Sequence, residues 1–92
     1  MGEEISQHAR RRIRERGASI GFVRKVVSGE VRRSKMSADR PGRVILTARD
    51  FLWRYWSVIC NIQCTEVITV RRAHKKEIRN YENRRKANKG RI

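Results

Sequence analysis

A chain of 92 residues folds around one small core, which excludes multi-domain machinery and leaves function to the surface or to a shallow cleft. Its 24 Lys and Arg against 9 Asp and Glu leave a formal net charge of +15, a self-repulsion that a polyanion or an acidic partner offsets, so nucleic acid is the first candidate. With 38% hydrophobic residues the chain is not disordered throughout, but 36% charged and 7% aromatic residues make the core lean.

Ser6 is placed to cap a first helix running to about Arg16, with Ile5, Ala9 and Ile13 on one face and Gly17 as its stop. Ser19 caps a second helix whose Phe22, Val23, Val26 and Val27 form a narrow core-facing stripe ending near Ser28-Gly29. From Glu30 the period changes. Val31 to Met36 is a weak, basic strand, Asp39-Arg40-Pro41-Gly42 is a turn, and Val44-Ile45-Leu46 is a strand. Phe51 to Ile62 has the most strand-like composition in the chain and reads as the central strand, apolar on both faces. Gln63 to Glu66 turns the chain into Val67-Ile68-Thr69-Val70. The tail from Arg71 to Ile92 returns to a helical pattern anchored by Ile78 and Tyr81, with Glu82 four before Lys86. These elements predict an α+β fold: two short N-terminal helices, a roughly four-stranded antiparallel sheet and a basic C-terminal helix. They make one domain over residues 1–85 and a basic, frayed tail over 86–92.

Charge is uneven along this layout: residues 1–30 carry +3, 31–47 carry +4, 48–70 are neutral, and 71–92 carry +8. If the two helical ends pack side by side across the sheet, they build one positive cleft suited to a phosphate backbone. No apolar run reaches the roughly 20 residues of a membrane helix and no signal-peptide core follows the start, so the expected location is cytoplasmic. Residues 8–27 have the basic amphipathic look of a transit peptide, but Glu3, Glu4 and Glu15 are too many acids for one.

Metal-independent RNA cleavage needs a base for the 2′-hydroxyl proton, an acid for the leaving oxygen and cations for the charge developing on phosphorus. His8 and His74 are the candidate proton carriers, and Arg12 and Arg71 the candidate cations. Arg16, Arg72, Lys75, Lys76 and Arg79 are candidate backbone contacts. Arg10-Arg11-Arg12 and Arg84-Arg85-Lys86 also fit plain solvated faces. Trp53, Tyr55 and Trp56 suit base stacking, yet aromatics in an apolar strand are more often core. Cys60 and Cys64 form a C-x₃-C at a strand end, with the histidines too remote in sequence to complete a zinc site, so neither a metal nor a cofactor is expected. No P-loop, GxGxxG, HExxH or paired-carboxylate motif is present.

The run Val67-Ile68-Thr69-Val70-Arg71-Arg72-Ala73-His74-Lys75-Lys76-Glu77, followed by Tyr81-Glu82, resembles the closing segment of BrnT-type toxins, which are similar in fold to RelE-type ribonuclease toxins. Ser6-x-His8-Ala9-x-x-Arg12, then Glu15-Arg16-Gly17-Ala18-Ser19, resembles the opening of related small RelE-like domains. Arg71 and Glu77 match the toxin pattern, and His74 stands where it usually has a small hydroxyl residue. The resemblance implies a growth-inhibiting endoribonuclease acting on single-stranded or messenger RNA, on the ribosome or off it, and held in check by an acidic antitoxin. It adds Glu77 to the catalytic set and Tyr81 to the RNA contacts. Two other readings stand beside it: a noncatalytic RNA- or DNA-binding accessory protein, for which the charge alone suffices, and a toxin that poisons an enzyme such as gyrase.

Overall fold

A computed structural model of the chain describes the backbone of residues 4–89 and the side chains of residues 4–83. In chain order the elements are β1 (Glu4–Ile5), α1 (Gln7–Arg16), α2 (Ile20–Ser28), β2 (Ser34–Ser37), β3 (Arg43–Arg49), β4 (Tyr55–Asn61), β5 (Glu66–Arg72) and α3 (Lys75–Lys89). The fold class is α+β. None of the described helices is long and apolar enough to cross a membrane.

The two N-terminal helices begin and end where their caps place them. The Ala9 N–H donates to Ser6 Oγ at 3.0 Å and the Phe22 N–H to Ser19 Oγ at 3.2 Å. Gly17 (φ 74°) and Gly29 (φ 86°) close the helices in the left-handed region that a side chain resists.

The sheet differs from the expected one. It has five strands in the order β1-β5-β4-β3-β2, and it is mixed because β1 runs parallel to β5. A two-residue strand carries no periodic signal. Glu4–Ile5 pairs only because the chain comes back alongside it, with the Glu4 N–H donating to Thr65 O and the Ser6 N–H to Val67 O. Ile5, expected on the helix, therefore reaches the core from a strand. The weak first strand is shortened to Ser34–Ser37, the last is lengthened to Arg72, and the C-terminal helix starts at Lys75 rather than Arg71. The expected fraying from Lys86 falls, apart from the helical backbone to Lys89, outside the described residues.

β4 is the central strand, as its composition predicts, and its alternation divides the molecule into layers. Trp56, Val58 and Cys60 enter one core with Ala9 and Ile13 of α1 and Val23, Val26 and Val27 of α2. Tyr55 and Ser57 point the other way and meet Tyr81 and Glu77 of α3. The sheet thus lies between α1 and α3, and among the described residues the two helical ends do not pack side by side into the single positive cleft expected.

Candidate nucleic-acid interface

The largest departure from the expected strands creates the most exposed apolar surface among the described residues. Phe51 to Arg54 leaves the sheet as a tight turn between β3 and β4, with Phe51 87%, Leu52 55% and Trp53 69% exposed. Asp50 dictates the turn. Its Oδ1 accepts from the Leu52 and Arg54 N–H groups, each at 2.9 Å, and its Oδ2 accepts from Arg54 Nε at 2.9 Å and Trp56 Nε1 at 2.8 Å. Burial works to raise the Asp50 carboxyl, but the bonds from Arg54 and Trp56 outweigh it and hold the group ionised, below its ordinary range. The signal available in the sequence was this aspartate at the end of a strand, two and four residues before the groups it caps.

Trp53 sits at φ 66°, a conformation that strains a bulky residue by on the order of 1 kcal/mol or more. Its ring carries the Arg49 guanidinium 4.1 Å from the centroid. Two adjoining clefts open beside it, of about 410 and 530 Å³, sharing Val31, Arg49, Asp50 and Phe51. Trp53 and Arg32 border the first; Phe22, Lys25 and Arg54 border the second. The aromatics expected as a group are therefore divided: Trp53 faces solvent, Trp56 is 1% exposed in the core, and Tyr55 packs edge-on against Tyr81 at 6.0 Å.

On the α3 layer, Arg71 and Glu77 form a bidentate pair, Nη1 to Oε1 at 2.8 Å and Nη2 to Oε2 at 2.7 Å. Glu77 Oε1 also accepts from the Ser57 hydroxyl at 2.7 Å and the His74 N–H at 2.9 Å. Ser57 in turn shares a 2.9 Å hydrogen bond with Thr47, so the carboxylate closes a polar row running across the middle of the sheet. Burial pushes Glu77 up, but the Arg71 fork, the His74 N–H and the Ser57 hydroxyl pull it down to about 2. Such a carboxylate is a weak general base at neutral pH. The guanidinium expected to meet phosphate is occupied by this pair. His74 is exposed, with Nδ1 3.9 Å from Glu77 Oε2.

His8 and Arg12 stand on the α1 layer, across the sheet from Arg71, His74 and Glu77, so the structure does not bring the expected catalytic set together. His8 is exposed, and Arg12 pairs with Glu15 at 3.2 Å. Arg16, Lys75, Lys76 and Arg79 are exposed and open to a polyanion. Arg72 is exposed too, its guanidinium 5.2 Å from the Trp56 ring centroid on the α1 side. Tyr81, expected to touch RNA, is 5% exposed and anchors α3 instead. Glu82 turns inward, accepting from the Tyr55 hydroxyl and lying 3.9 Å from Arg49. Among the described residues no group of three or more His, Cys, Asp or Glu side chains could hold a metal ion. Comparisons of the chain with protein families, with characterised proteins and with solved structures return no match.

Proposed function

We propose that the chain is a nucleic-acid-binding module that takes single-stranded RNA at the β3–β4 turn. The observation that carries this reading is Trp53, exposed and strained, backed on one ring face by Arg49 and bordered by clefts that Lys25, Arg32 and Arg54 line. An exposed indole in a left-handed backbone adds nothing to the core, whereas a nucleobase offers a π-face to its open side and cations alongside hold the phosphates. The formal +15 supplies the long-range attraction.

The test is fluorescence anisotropy with a labelled RNA of about ten nucleotides, single-stranded and then annealed to its complement. The single strand is expected to bind more tightly, since only unpaired bases can stack. Each phosphate contacted is expected to contribute about −0.7 to the slope of log affinity against log salt. Equal affinity for the duplex, or binding indifferent to salt, would sink the reading.

A second reading, a metal-independent endoribonuclease neutralised by an acidic antitoxin, is favoured by the exposed His74 beside the Glu77 carboxylate. There His74 carries the proton and Lys75, exposed at the start of α3, holds the backbone. His74→Ala is expected to abolish cleavage and His8→Ala to spare it, since His8 stands on the other layer. Incubation with RNA in EDTA, followed by assay for 2′,3′-cyclic phosphate ends, decides the matter. Release of no fragments from naked RNA or from translating ribosomes leaves the binding reading alone.

A further inference from the structure

The last part of β4 and the turn that follows it, at the opposite end of β4 from the exposed tip, carry the two thiols of the chain, Cys60 on the strand and Cys64 in the turn. Cys60 is fully buried under the helices, and Cys64 packs half-buried against the same core. Their sulfurs are 4.0 Å apart, the Cys60 thiol donating toward Cys64. The turn that sets this distance is tied from several sides. The Cys64 N–H donates to Asn61 O at 2.9 Å, and Asn61 Oδ1 accepts from the Thr65 N–H at 2.9 Å and the Glu66 N–H at 3.0 Å.

Cys64 adopts φ 58°, where glycine or asparagine fits with less strain. A cysteine there runs against local preference, which points to its side chain. Zinc needs further ligands, and no third metal-binding side chain among the described residues joins the pair. What the geometry contains is a half-buried outer thiol 4.0 Å from a fully buried inner one.

We infer that Cys60 and Cys64 are a reversible oxidation site, closing to an intrachain disulfide when the protein meets a hydroperoxide. The Cys64 sulfur, as thiolate, attacks one peroxide oxygen; the O–O bond breaks, and the departing hydroxide takes up a proton as water. Cys64 is then a sulfenic acid. The Cys60 sulfur displaces its hydroxyl, the S–S bond forms, and the Cys60 proton leaves with that oxygen as a second water. Two thiols lose two hydrogens and two electrons, and hydrogen peroxide is reduced to two waters.

Burial and the neighbouring Cys64 push the Cys60 thiol up, and the positive charges of Arg33 and Lys35 offset this only in part. The inner sulfur is therefore shielded from direct oxidation yet close to the outer one. Closing from 4.0 Å to a disulfide moves the sulfurs together by about 2 Å, the scale of a side-chain rotation. Because the pair lies at the far end of β4 from Trp53, this inference does not rest on the nucleic-acid reading.

The test treats the full chain with hydrogen peroxide, quenches with catalase, and alkylates with N-ethylmaleimide in denaturant before measuring intact mass. Reduced protein is expected to take two alkyl groups. Oxidised protein is expected to take none and to be lighter by two hydrogens, with dithiothreitol restoring both sites. In Cys60→Ala the intrachain product disappears and Cys64 gains oxygen instead. Wild-type protein that adds oxygen to one sulfur while the other still alkylates, or that yields mainly covalent dimers, would overturn the inference.

Discussion

Glu77→Ala is expected to lower folding stability by about 3–5 kcal/mol, the range for removing one member of a buried ion pair. Glu77 is 4% exposed and takes both branches of the Arg71 fork, the Ser57 hydroxyl and the His74 N–H. Without it, a largely covered guanidinium and a buried hydroxyl lose their acceptor at the point where α3 begins. Arg71→Ala leaves the carboxylate stranded and is expected to do comparable harm. A double replacement by apolar residues, Arg71→Met with Glu77→Leu, should recover much of the loss. Urea denaturation of the three variants reads the effect, and single variants within about 0.5 kcal/mol of wild type would show that the pair does not hold α3.

The same group sets an acid limit. With its carboxyl held near 2 in the fold against 4.5 unfolded, Glu77 contributes stability that is fully present above pH 4.5. That contribution fades as the pH falls from there toward 2. It amounts to about 3 kcal/mol at one pKa unit per 1.36 kcal/mol, and Glu77→Ala should flatten this part of the stability–pH curve. For the ribonuclease reading, an Arg71 variant would report folding before chemistry, so His74 is the better probe of cleavage.

Trp53→Ala is expected to weaken single-stranded RNA binding roughly 5- to 150-fold, the consequence of losing about 1–3 kcal/mol from one stacked base. Folding stability should hardly change, because the ring is 69% exposed and its backbone is strained. Trp53→Phe should retain part of the affinity. Duplex binding, carried by the phosphates, should be nearly the same in all three proteins. An unchanged single-strand affinity for Trp53→Ala would remove the tip from the interface and leave only diffuse charge.

Both N-terminal helices were legible because every signal that makes them is local: the serine caps, the glycine stops and an apolar stripe with the helical period lie within a turn or two of one another. The central position of β4 was legible for a similar reason, since a strand buried on both faces must be apolar on both faces. The net charge of +15 is likewise a property of residue types alone and needs no tertiary contact to be read. The tip was hidden inside that same apolar run. Phe51, Leu52 and Trp53 continue the composition of a strand, and only the Asp50 carboxylate, gathering the Leu52 and Arg54 N–H groups, turns them out into solvent. Tertiary structure alone decided the parallel addition of Glu4–Ile5 to β5 and the placement of α1 and α3 on opposite faces. It also decided the bidentate pairing of Arg71 with Glu77. Those depend on where residues distant in the chain meet, and a charge whose partner is set by chain topology reads, along the sequence, like one left free for a ligand.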